Sequence, residues 1–91
     1  MDYVIVDLEA TCWEGSQVGD MEIIEIGAVL LAGDSHQPLS DFEQFVRPSI
    51  NPVLSEFCKE LTQIKQRQVD SAPLFPEAFD AFMQWIGVRG F

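Results

Sequence analysis

Positive charge is scarce in this chain. Five Lys and Arg stand against 15 Asp and Glu among 91 residues, for a net charge of −10. That balance argues against a protein that grips phosphate directly with Lys and Arg. It does not exclude one that reaches phosphate through bound cations, because metal ions reverse the local field. Long apolar runs are also missing: none approaches the roughly 20 residues of a membrane-spanning helix. Met1-Asp2-Tyr3 carries no basic region, so no signal peptide is expected. Histidine occurs once, at His36, and cysteine twice, at Cys12 and Cys58. Two isolated cysteines suit neither a zinc site nor a disulfide framework. They are expected as reduced thiols in an intracellular, cytoplasmic protein.

What is present suffices for one small domain with one core. The apolar fraction is 47%, that of a folded chain. Tyr3 to Leu8 is β-rich and reads as a central strand. Thr11 to Asp20 holds Gly15, Ser16, Gly19 and Asp20, which are loop residues. Ile23 to Leu31 is apolar and β-branched, a second strand with Glu25 and Gly27 inside it. After the turn cluster 33–38, Phe42 to Val46 alternates and gives a third strand. The short turn predicts an antiparallel hairpin.

Beyond Pro52 the period changes. Ser55 to Leu61 suits a short helix with Ser55 as N-cap. Lys65 to Val69 suits another helical turn. Phe75, Ala78, Phe79, Phe82, Met83 and Ile86 fall at helical spacing, which predicts an amphipathic helix over 74–86. Val88 to Phe91 look like the approach to a further strand. The order predicts an α/β fold: a three-strand antiparallel meander, then helices covering one face.

The chemistry concentrates in Val4-Ile5-Val6-Asp7-Leu8-Glu9-Ala10-Thr11. Residues two apart on a strand point to one face, so Asp7 and Glu9 project side by side. Two like charges there are costly unless something positive sits between them. A hard divalent cation is the simplest candidate. Asp-x-Glu alone is equally compatible with a strand end that binds water.

The wider string is more specific. Val6-Asp7-Leu8-Glu9-Ala10-Thr11-Cys12, followed by Glu22-Ile23-Ile24-Glu25-Ile26-Gly27-Ala28-Val29, resembles the first motif of the DEDD-type 3′–5′ exonucleases. Phe45-Val46-Arg47-Pro48, Leu54-Ser55-Glu56-Phe57-Cys58, Leu61-Thr62-Gln63-Ile64 and Gln68-Val69-Asp70 resemble its DEDDh branch, which uses a catalytic histidine. That branch includes exoribonucleases that trim histone-mRNA stem-loops, small RNAs and ribosomal RNA ends. The resemblance implies a ribonuclease H-like fold, present here in part: residues 1–91 as the N-terminal part of a single exonuclease domain. It implies 3′–5′ removal of nucleotides from single-stranded RNA or DNA, RNA being favoured, with Mg²⁺ or Mn²⁺ as cofactor and two ions in the complete site.

By position, the resemblance makes Asp7 and Glu9 the first two metal-binding, catalytic acids. Glu9, Ala10 and Thr11 would lie along the terminal nucleotide. Phe57 and Leu61 would sandwich its base, although core packing is the ordinary role of such a Phe. Glu25 is expected to be buried in its strand, with a structural role and proximity to the site both open. Gln63 stands where the family commonly has Gly, and Lys65 where Thr is common. The later acids and the catalytic histidine have no match in these residues, and His36 reads as an exposed turn residue. The 91 residues alone are therefore expected to be inactive. The alternative is a non-catalytic module that binds metal or a partner, with self-association through an incomplete sheet edge as one form of it.

Overall fold

The computed structural model describes residues 1–15 and 20–87. Three β-branched runs pair into one antiparallel sheet in the order β1 (Tyr3–Ala10), β2 (Ile23–Leu31), β3 (Pro38–Phe45). Three helices follow: α1 (Glu56–Thr62), α2 (Gln66–Asp70) and α3 (Phe75–Gly87). The meander, the hairpin and all three helices agree with the sequence reading. The third strand begins earlier than expected, at Pro38, which pairs with Leu31. Proline is tolerated there because it opens an edge strand and owes no ladder donor. The segment Val88 to Phe91 and the loop residues Ser16 and Gly19 lie outside the described residues.

The pleat sorts the second strand into two faces. Ile24, Ile26, Ala28 and Leu30 alternate with half-buried neighbours and are themselves buried. Ile26 and Ala28 pack with Val46, Ala78 and Phe82, placing α3 across the sheet. Phe42, Phe82 and Trp85 form an aromatic cluster there, with centroids 5.6–6.2 Å apart. Ile24 packs instead with Leu54, Cys58, Ile64 and Val69, which places α1 and α2 under the other end. Gln66 clamps α2 to the preceding loop: its amide accepts from Leu54 N–H at 2.8 Å and donates to Pro52 O at 2.8 Å.

One expectation is corrected. Tyr3 to Leu8 was expected to be central, but among the described residues β1 is the edge of the sheet. Its sequence is that of a strand covered on both sides, and its surroundings are not. Val6 is 46% exposed and Leu8 49%.

Candidate active site

The register builds the site row by row. Asp7 lies opposite Gly27, which lies opposite Glu43; Glu9 lies opposite Glu25, which lies opposite Phe45. Directly opposed residues share a face. Asp7, Glu9, Glu25 and Glu43 therefore rise from the face that the helices leave open. Gly27 leaves no side chain between Asp7 and Glu43. An open cavity of about 330 Å³ results, lined by Asp7, Glu25, Gly27 and Glu43 with Asp41 and Ile5 among its walls.

Glu25 reports the crowding. Burial pushes its carboxyl up to about 7 from an ordinary 4.5, helped by a hydrogen bond to Glu43 and by the charges of Glu43, Glu9 and Asp7. Glu25 is half-buried, not buried as expected, because among the described residues this face carries no helix. Asp7 is exposed and Glu9 half-buried. Among the described residues no three His, Cys, Asp or Glu are already gathered as a metal cage. Asp7 and Glu9 thus offer two hard oxygen donors, a partial set that suits a divalent cation needing further ligands.

The end of β1 is shaped by a bulge. Pairing shifts from Glu9–Glu25 to Ala10–Ile23, which leaves Ile24 as the extra residue on β2. Thr11 then closes the strand pair. Its N–H donates to Glu22 O at 2.8 Å, and its hydroxyl accepts from Glu22 N–H at 2.9 Å. At 2% exposure, Thr11 is buried and braces the strand end. Its side chain is not presented at the surface, which narrows the nucleotide contact expected of it.

The Glu22 carboxylate continues the brace. It accepts from the backbone N–H groups of Ser49, Ile50 and Asn51 at 2.7–3.0 Å and from the Ser49 hydroxyl at 3.2 Å. Burial works against its charge, but these donors prevail and hold it below the ordinary carboxylate range. Glu22 opens the second string of the first motif, but no sequence signal marked this bracing role, since its partners lie 27–29 residues away.

Helix α1 is tied to the same strand end. Ser55 caps it, its hydroxyl accepting from Cys58 N–H at 3.0 Å and donating to Cys12 O at 2.6 Å. The Cys58 thiol faces Ala10 O at 3.8 Å. Cys58 is the buried residue of the helix, so Phe57 and Leu61 point outward, 36% and 66% exposed. They stand four apart on one helical face. Phe57 is therefore no core residue, which removes its ordinary role. His36 sits in the β2–β3 turn at φ 59°, exposed, with its ring 6.0 Å from Tyr3. Tyr3 is four residues before Asp7, about 13 Å along a strand.

Residues 4–90 match the family described as Exonuclease, RNase_T. The chain belongs to this family. Human ERI1 exoribonuclease 2 is 47% identical over 87 residues, which is 93% of this chain and 13% of that protein. The crystal structure of the nuclease domain of 3′hExo, a DEDDh family member, bound to rAMP superposes with a TM-score of 0.95 at 41% identity. It is covered to 46% and this chain to 99%. A 3′-exonuclease solved in 3′-end-specific recognition of a histone mRNA stem-loop gives 0.93 at 40% identity, covered to 40%. The chain thus spans less than half the length of these relatives. The fold is that of ribonuclease H-like exonuclease domains, and exonucleases of the DEDDh kind depend in general on divalent metal.

Proposed function

We propose that residues 1–91 are the N-terminal part of one exonuclease domain. The whole protein removes nucleotides from 3′ ends of single-stranded RNA by metal-dependent phosphodiester hydrolysis. One observation carries this reading: two strand-borne carboxylates and an outward apolar pair, Phe57 and Leu61, belong to elements locked to the same strand end. The solved relative bound to rAMP and the one bound to a histone mRNA stem-loop support RNA over DNA.

Asp7 and Glu9 would hold Mg²⁺ or Mn²⁺, with two ions in the complete site. Bound there, such cations supply neutralisation of the phosphodiester and activation of water. The chain's own residues orient the substrate. Phe57 and Leu61 offer an apolar platform that accepts any base, as stepwise removal requires. Ala10 presents strand-end backbone, held in place by Thr11 and Glu22. Lys59, Lys65 and Arg67, three of the five basic residues, lie in the segment that carries this platform. His36 is too remote to serve as general base. The 91 residues by themselves are expected to release no nucleotide.

The test is adenosine 5′-monophosphate binding in the presence of Mn²⁺. Phe57→Ala is expected to weaken binding by about 1–3 kcal/mol, roughly fivefold to 150-fold. Thermal stability should hold, because the side chain is outside the core. Unchanged affinity would contradict the platform.

A second reading rests on the uncovered edge. Apolar Val6 and Leu8 beside the edge of β1, unpaired among the described residues, support strand addition, with a second copy as the simplest partner. Sedimentation should then show a dimer that Val6→Lys abolishes; a monomer at high concentration would refute it.

A further inference from the structure

Cys12 and Cys58 are distant in sequence and neighbours in space. Ser55 joins their backbones, bonding to Cys12 O and to Cys58 N–H with one hydroxyl. Cys12 packs against the core cluster that contains Cys58. Cys58 is fully buried, whereas Cys12 is half-buried and within reach of solvent. This arrangement has the parts of a thiol pair: an accessible sulfur, a sheltered resolving sulfur and a scaffold that holds them together.

We propose that Cys12 and Cys58 form a reversible disulfide that fastens the end of β1 to α1. The oxidant is a small-molecule disulfide of the glutathione class. The Cys12 thiolate attacks one sulfur of that disulfide and expels the first thiolate, leaving a mixed disulfide on Cys12. The Cys58 thiolate then attacks the Cys12 sulfur and expels the second. Two S–H bonds and one S–S bond are exchanged for one protein S–S bond and two small thiols, so the protein is oxidised by two electrons and the reagent reduced by two. Burial and the neighbouring Cys58 and Glu9 push the Cys12 thiol up to about 11, so the exchange is slow at neutral pH and speeds up in alkaline buffer.

The consequence reaches the site. The bond would fix the strand end that carries Asp7 and Glu9 against the helix that carries Phe57 and Leu61. That effect on nucleotide binding rests on the proposed function, whereas the bond itself does not.

The folded chain is incubated with oxidised glutathione in alkaline buffer and read by intact mass and peptide mapping. The expected product has lost two hydrogens, links the Cys12 peptide to the Cys58 peptide and reverts with dithiothreitol. Its melting temperature rises by at least several degrees, since the bond closes a long loop. Cys58→Ala should stop at a stable glutathionyl adduct on Cys12. Cys12→Ser, which changes the more exposed partner and leaves the fully buried Cys58 in place, should remain unmodified. A wild-type product carrying glutathione on Cys12 without the internal link, or no reaction at either thiol, would overturn the proposal.

Discussion

At the scale of single residues, two positions carry more structure than their sequence announces. Glu22 receives three backbone N–H groups from 49–51 and fixes the loop after β3 to the start of β2. Its carboxyl is held below the ordinary 4.5, so its contribution is full above that value and is lost as pH falls through the lower folded value. Glu22→Gln should cost about 1–2 kcal/mol at neutral pH, the difference between charged and neutral acceptors. It should also flatten the acid limb of a stability–pH curve; an unchanged limb would show that other carboxylates set it. Gln63 was visible in advance as a departure from the family's Gly, but its meaning was not. The structure places it in the left-handed region, φ 62°, as the cap of α1. Glycine takes that conformation without steric cost. Gln63 offsets part of the strain by donating its amide to Glu60 O at 2.6 Å. Gln63→Gly should therefore stabilise by only about 0.5 kcal/mol in urea unfolding, with a loss instead showing that the amide bond outweighs the strain.

At the scale of elements, the hydrophobic period was enough to find each strand and helix. Period two in Ile23 to Leu31 and period 3.6 in Phe75 to Ile86 each reflect burial on a single face, and the structure buries those faces. Boundaries were harder. The end of β1 extends to Ala10, since Glu9 and Ala10 pair with Glu25 and Ile23 across a bulge that leaves no pattern in the letters. The Cys12–Cys58 contact was invisible because nothing local distinguishes a cysteine that will meet another. Phe82 shows how α3 is held: it packs against Phe42 and Trp85 and sits at the centre of the Ile26–Ala28 cluster. Phe82→Ala should cost about 3–5 kcal/mol, a large share of the stability of a domain this size. Chemical denaturation should record it, and a loss under 1 kcal/mol would mean that α3 does not depend on this contact.

At the scale of the molecule, charge and apolar surface are laid out on opposite faces. The open face holds Asp7, Glu9, Glu25 and Glu43; the helix-covered face ends in an apolar cleft between β1 and α3 lined by Val6, Leu8, Phe75 and Phe79. Family membership was legible because Asp7-x-Glu9 and the Phe57 and Leu61 segments resemble the family's motifs along nearly the whole chain. The convergence of those segments was not, since it depends on Ser55 and Cys58 bonding to a strand end more than 40 residues away. The central claim is that the open carboxylate face takes divalent cations through Asp7 and Glu9. Thermal unfolding of the chain with and without Mn²⁺ tests it most directly. At tenfold excess over the dissociation constant, the wild type should gain about 1.4 kcal/mol, roughly 5–10 °C, and Asp7→Ala should gain nothing. No shift in the wild type, or an equal shift in Asp7→Ala, would contradict the account.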